Sequence, residues 1–216
     1  MDSELLLPVL VVAGAYLVGS IPFSWLVARL VKRVDIRAVG SGNVGATNVL
    51  RNAGKRAAIL ALLLDGVKGW AVVYVTALLT ETSHWQLGSG GRTVIDSPSF
   101  WIGLSALVAI IGHMFPVWLR FRGGKGVATG AGAYLAIDPS ALLFAFVTFL
   151  AVVAVTRYVS VGSMAAAAVF PMWIRFLTGG TTWEIVFSVL IGLLVIIKHH
   201  PNIARILAGE ERKFPR

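Results

Sequence analysis

Six apolar runs of near-spanning length recur along this chain of 216 residues, at 5–28, 57–80, 99–119, 141–156, 159–177 and 183–198. A bilayer core takes about 20 apolar residues to cross as a helix, and a helix satisfies its own backbone donors and acceptors where water cannot. The pattern predicts an all-α, polytopic membrane protein, a helical bundle in one membrane-embedded domain over 1–216. Charge agrees, because 13% of the residues are charged against about 25% in a soluble domain. The opening "MDSELLLPVL" has acidic residues, no basic n-region and no small-residue cleavage site, so the first run reads as a retained span. Cysteine is absent from the sequence, which excludes disulfides, thiolate nucleophiles and cysteine metal sites.

A formal net charge of +9 suggests nucleic acid until it is mapped. Of 19 Lys and Arg, seven lie in 29–56, three in 120–125 and five in 198–216, with Arg157 between two spans and Lys68 inside the second. Arg92 and Arg175 fall on the opposite side, with six of ten acids: Asp2, Glu4, Glu81, Asp96, Asp138 and Glu184. This is the positive-inside bias, which places the basic loops in the cytoplasm and removes the case for nucleic acid.

With the N-terminus outside, the first span enters, the second leaves and the third delivers "RFRGGKG" to the cytoplasmic side. The acidic loop at Asp138 belongs outside, so something between Gly126 and Ile137 must cross. About 12 residues make roughly 18 Å of helix, too short for a 30 Å core. Such a piece is tolerated where it is buried in protein or lines a wet cavity. Counting it gives about seven crossings, one short or broken, with the C-terminus cytoplasmic. Five full spans plus a re-entrant piece is the alternative.

Polar, glycine-rich or basic clusters at 40–56, 112–129 and 198–211 then share the cytoplasmic face. In the first, Gly40-x-Gly42-x-x-Gly45 has the form of a dinucleotide fingerprint, with Asp65 twenty residues later. That fingerprint requires a strand and a βαβ unit, which two membrane spans do not supply. What remains is local: glycines that expose amides, neutral donors at Ser41, Asn43, Thr47 and Asn48, and the Arg51 fork suited to phosphate. An ordinary polar interfacial loop has the same composition. The second cluster fails as a P-loop, since no glycine stands five before Gly124 and Gly126 follows Lys125. A GGKG turn feeding a short helix would still place amides, a helix N-terminus and Lys125 around one anion. A juxtamembrane basic loop on anionic lipid is the simpler reading, but Gly123, Gly124 and Gly126 favour the cradle. His113, near the end of the third span, reads as an interior histidine.

In the third cluster Pro201 should end or kink the last span and leave His199 and His200 at the interface. His199, Asn202 and Arg205 would share a face if the helix resumes. A histidine there serves as a general base or a phosphate donor, or lies blandly beside lipid phosphates. Within the second span, Asp65 and Lys68 are three apart on one face, either a buried pair that orders the bundle or part of a site.

Several chemistries are missing. There is no G-x-S-x-G elbow, no H-E-x-x-H, no carboxylate cluster for a metal, and no histidine followed five residues later by aspartate. The "DG" at Asp65-Gly66 lacks the further aspartates of CDP-alcohol phosphotransferases. Anion-binding groups without a nucleophile suit an already activated substrate, such as an acyl phosphate, passed directly to a hydroxyl by orientation and charge neutralisation. A transporter or lipid-phosphate flippase fits part of the inventory, because a short helix can also aim its N-terminus at a transported anion. The sequence shows no inverted repeat, and its clusters lie on one face. A scaffold that docks other lipid enzymes is a third class.

"GSGNVGATNVLR", "GHMFPVWLRFRGGKGVAT" and "KHHPNIARILAGEE", with "LLLDGVKG" after the first, resemble the three motifs of the acyl-phosphate:glycerol-3-phosphate acyltransferase family (PlsY) over nearly the whole chain. The resemblance implies a single acyltransferase domain over 1–216 in the bacterial cytoplasmic (inner) membrane, its site facing the cytoplasm. It implies acyl transfer from acyl phosphate to the primary hydroxyl of sn-glycerol 3-phosphate, giving lysophosphatidic acid and phosphate. No cofactor, metal or acyl-CoA is implied; the partners would be membrane lipids and an enzyme that produces acyl phosphate. By matching position, the catalytic set is His199, Asn202, Lys125, Arg51 and Ser41. Asn43, Asn48, Gly123, Gly124, Gly126 and Ser163 bind substrate or support the loops. Ser160 is a near competitor of Ser163, and Glu211 matches a glutamate that holds structure. The chain departs from the family in the long outer segment 81–98 and in Ala57-Ala58, where glycine is common.

Overall fold

The computed structural model describes residues 3–82 and 97–214, so 83–96, most of the outer segment, lie outside the described residues. The chain divides into two compact units, Met1–Ile137 and Asp138–Arg216. The first holds α1 (Ser3–Ser20), α2 (Phe23–Lys32), α3 (Ala46–Ala53), α4 (Lys55–Thr82), α5 (Pro98–Met114) and α6 (Val127–Ile137), with a 3-10 turn at Val117–Leu119. The second holds α7 (Pro139–Thr156), α8 (Val159–Trp173), a π turn at Ile174–Thr178, α9 (Thr182–Lys198) and α10 (His200–Leu207).

Every regular element among the described residues is helical, as the apolar runs predict. Five stretches are long and apolar enough to cross a membrane: Leu7–Lys32, Lys55–Thr80, Pro98–Leu119, Pro139–Thr156 and Val159–Thr178. The bent pair α9–α10, with 49° between its halves, makes a sixth, and α6 is a shorter apolar helix. The predicted kink at Pro201 and the predicted short helix are both present.

The first apolar run departs from expectation. It breaks at Ile21-Pro22, between α1 and α2, and α2 continues to Lys32. Proline has no N–H to give and disfavours helical backbone in the residue before it. The carbonyl of Ile21 finds its partner in Lys68 Nζ, at 2.7 Å. The first cluster also contains a helix, α3, where a loop is expected.

Close backbone contact joins the first unit. A Cβ on Gly69 would strike the carbonyl of Thr129, and one on Gly132 the carbonyl of Gly66, so α4 and α6 pack backbone to backbone. Val127, Ala131 and Leu135 form the exposed stripe of α6. Beneath the first cluster, Val27, Ile36, Val44, Val49, Ala61 and Leu119 form an apolar core. In the second unit α8 packs between α7 and α9. Asp138 caps α7 by accepting from Ala141 N at 2.9 Å and also accepts from Thr178 Oγ1 at 2.7 Å. A capping box of Thr181 and Glu184 starts α9.

Candidate active site

In the first unit the loop before α3 is organised by one side chain. Buried Asn48 donates through Nδ2 to the carbonyls of Ile36 (2.8 Å), Val39 (3.2 Å) and Asn43 (3.1 Å). Its Oδ1 accepts from Ser41 N at 3.2 Å and from Asn52 Nδ2 at 2.9 Å. An amide has just this mixture of donors and acceptor, and a carboxylate or apolar side chain could not replace it. Asn48 therefore shapes the loop that carries Ser41 and Asn43, and α3 carries Arg51 in its last turn. Ser41 and Arg51 are exposed, and Asn43 is half-buried. Outside the spans, Asp35 accepts from Trp25 Nε1 at 3.1 Å and from Arg37 Nε at 3.0 Å. The Arg37 hydrogen bond outweighs burial and holds the Asp35 carboxyl well below the usual range.

In the second cluster two glycine amides have partners within the chain. Gly123 N donates to Met114 O (3.2 Å) and Gly124 N to His113 O (3.1 Å), so these amides are engaged within the turn. Their lack of a side chain is what the turn requires. A Cβ on Gly124 would strike His113 Nε2 and crowd the carbonyl of Val44, and one on Gly123 would strike His113 O and Pro116 Cδ. Gly126 has φ +80°, and a Cβ there would lie 2.6 Å from Met114 Cε. Arg120 and Phe121, at φ 53° and 62°, add two non-glycine left-handed residues just before the turn. Lys125 beside this turn is half-buried, and the turn leads into the first amides of α6. Gly124 lies against Val44 and His113 together, so the first two clusters meet.

Sequence reasoning missed what His113 touches. Lys68 Nζ stands 3.0 Å from His113 Nδ1 and 2.8 Å from Asp65 Oδ1, and Ser24 Oγ donates to Asp65 Oδ2 at 2.6 Å. The expected Asp65–Lys68 pair exists, buried, with the histidine attached to it.

In the second unit, His199 sits at the α9–α10 bend, buried, with Nδ1 2.7 Å from Val195 O. A carbonyl only accepts, so Nδ1 carries a proton, and when the ring is neutral its lone pair is on Nε2. His200 is exposed and makes the equivalent contact with Ile197 O at 3.1 Å. The helix resumes as expected, and Asn202 and Arg205 share a face. Asn202 Nδ2 donates to Glu211 Oε1 at 2.6 Å and Arg205 Nε to Glu211 Oε2 at 2.7 Å. Ser160 Oγ also donates to Glu211 Oε1, at 3.0 Å. Burial pushes the Glu211 carboxyl up, but the hydrogen bonds from Arg205, Asn202 and Ser160 outweigh it and hold the group below its ordinary value. Ser163 instead donates to Val159 O of its own helix, at 2.9 Å. Of the two serines, Ser160 is the one tied to Asn202 through Glu211. Among the described residues no three His, Asp or Glu side chains converge as a metal set.

Residues 9–209 match the family described as Glycerol-3-phosphate acyltransferase. A "Glycerol-3-phosphate acyltransferase" of Desulforamulus reducens is 43% identical over 206 residues, 95% of this chain and 94% of the relative. One of Trichlorobacter lovleyi is 45% identical over 203 residues, 94% and 95% of the two chains. Among solved structures, the crystal structure of PlsY (YgiH), "an integral membrane glycerol 3-phosphate acyltransferase", in its glycerol 3-phosphate form is similar, with a TM-score of 0.82 and 38% identity over 96% of each chain. Its lysophosphatidic acid form gives 0.81 and 36%, covering 96% of this chain and 95% of that one.

Proposed function

This chain belongs to the glycerol-3-phosphate acyltransferase family, and on that premise we propose that it acylates the primary hydroxyl of sn-glycerol 3-phosphate from acyl phosphate. The products are 1-acyl-glycerol 3-phosphate and inorganic phosphate, in an early step of phospholipid synthesis. The observation that carries the choice of donor is the character of the three motifs, rich in anion donors and without an activated nucleophile. Ser163 donates to Val159 O of its own helix, Ser160 donates to a Glu211 carboxylate that Arg205 and Asn202 already hold and so make a weak base, and cysteine is absent. A chain so equipped needs a substrate with its own leaving group, and acyl phosphate brings one.

In this reading Lys125 and the amides opening α6 hold the departing phosphate, with Gly123, Gly124 and Gly126 closing the turn. Arg51 and Ser41 hold a second phosphate on the loop that Asn43 and Asn48 support. His199 and Asn202 orient the glycerol phosphate, with Ser163 or Ser160 beside them. The hydroxyl oxygen bonds to the acyl carbon, and the carbon–oxygen bond to phosphate breaks. The hydroxyl proton passes to His199 Nε2 or to a substrate phosphate oxygen. Charge sidedness supports a bacterial inner-membrane enzyme with its N-terminus outside and its C-terminus and site cytoplasmic, beside membrane lipids and an enzyme that produces acyl phosphate.

The deciding experiment is an assay of purified protein in detergent with glycerol 3-phosphate and either acyl phosphate or acyl-CoA. Phosphate release matched by lysophosphatidate, with acyl phosphate alone, is the expected result. Binding or flux without product points to a transporter. Lys125→Ala should nearly abolish transfer in folded protein; unchanged rate and affinity would end the phosphate role of this turn. His199→Gln that keeps most of the rate, with no inflection near an ordinary histidine pKa of about 6.5, would assign the proton to the substrate.

A further inference from the structure

The buried Lys68–Asp65–His113 cluster has no part in the chemistry above, yet it touches the root of both cytoplasmic motifs of the first unit. We propose that these three are positioning residues that hold the first motif and the second-motif turn in register, a role that rests on the acyltransferase reading.

Lys68 Nζ has three protons and three neighbours: Asp65 Oδ1 at 2.8 Å, Ile21 O at 2.7 Å and His113 Nδ1 at 3.0 Å. His113 Nδ1 is also 3.5 Å from Asp65 Oδ1. Side-chain exposures of 2% for Lys68 and Asp65 and 6% for His113 leave the cluster almost no water. Two of these neighbours, Ile21 and His113, stand where the chain leaves for the site. Ile21 and Ser24 stand at the break where α2 begins, and α2 feeds the loop carrying Ser41. His113 stands near the end of α5, where its carbonyl accepts from Gly124 N and its Nε2 edge abuts Gly124. On its other side Gly124 meets Val44 O, at the far end of the first-motif loop. The contacts close into a ring from α4 to α2, through the first motif to Gly124 and His113, and back to α4.

A pair that only stabilised α4 would have no reason to reach two other elements. Buried ion pairs seldom gain stability over apolar residues of similar volume, and their best-attested use is to fix one register among several. The donors also set His113. An ammonium only donates, so with Lys68 charged Nδ1 accepts and the neutral ring carries its proton on Nε2, on the edge against Gly124.

Ala38 and Trp118 are exposed, lie outside the site, and report on the first-motif loop and the approach to the turn. In the cysteine-free chain, Ala38→Cys and Trp118→Cys take spin labels, and pulsed electron resonance in detergent reads their separation. A single narrow distribution is expected in this parent. It should broaden in the charge-balanced Asp65→Leu/Lys68→Met variant and in His113→Leu. It should narrow again in His113→Asn, whose amide oxygen can accept in place of Nδ1. The kcat for transfer should follow, falling about 100-fold where the distribution broadens, the usual cost of misplacing a reacting group by about 1 Å, and recovering in His113→Asn. A distribution that stays narrow in both apolar variants overturns the proposal, whatever the rates do. Should the double variant fail to fold, the two His113 variants decide alone. A labelled parent that transfers no acyl group refutes the assigned reaction, and the distances still decide the register.

Discussion

Asp65 and Glu211 have matching partners in very different surroundings. Each carboxylate has a serine hydroxyl (Ser24, Ser160) and a cation (Lys68, Arg205); Asn202 donates to Glu211 directly, whereas His113 joins Asp65 through Lys68. Asp65 lies inside a membrane span with its cation, both side chains 2% exposed. Glu211 lies beyond α10, its own side chain 9% and that of Arg205 32% exposed. Removing a partner from the first group strands a charge where no water can reach it, whereas in the second, water can take the vacant place. The same serine-and-cation pairing therefore bears on the packing of buried helices in one unit and on the local placement of Asn202 in the other.

The largest effect should come from Asp65→Ala, which leaves Lys68 uncompensated at a cost of about 3–5 kcal/mol. Thermal melting in detergent should show a large loss, most of it regained in Asp65→Leu/Lys68→Met. Equal melting of the single and double variants would erase the contrast. Glu211→Ala should cost less, about 1–3 kcal/mol, and should lower transfer by freeing Asn202. If it melts like Asp65→Ala, exposure does not separate the two groups.

Acid sharpens the comparison next. The folded-state value of Glu211 is depressed, so its contribution to stability is complete above its ordinary value of 4.5 and is lost as pH falls through the lower folded value. Melting temperatures taken from pH 7 downward should fall less steeply below that point in Glu211→Gln than in the parent. Asp35→Asn should have the smallest effect, below about 1 kcal/mol and weaker in high salt. Its partner Arg37 has a side chain 40% exposed. A salt-insensitive loss would mean that the loop depends on Asp35 more than its exposure suggests.

Length and charge made the bundle legible, and proline made the bend at 199–201 legible, because each acts within one helix. The break at 20–22 was hidden, since Ile21-Pro22 is as apolar as its surroundings and only the missing N–H betrays it. His113 and Lys68 are 45 residues apart, and no local period could join them before α4 and α5 pack. Glycines at 123 and 124 signalled close approach correctly. Spacing could not say whether a ligand or the chain's own carbonyls made that approach, and for these two amides it is the chain. Ser160 and Ser163 share a face of α8, so only the folded position of Glu211 tells them apart.

The glycine seating of α6 on α4 has a mechanical consequence. With carbonyls against glycines at Gly69–Thr129 and Gly66–Gly132, no compressible layer separates the two helices. The two helices are thus packed without a side-chain layer between them, and Lys125 stands two residues before α6. A tilt of α4 would therefore be felt at the turn, where Gly123 and Gly124 are bonded to α5.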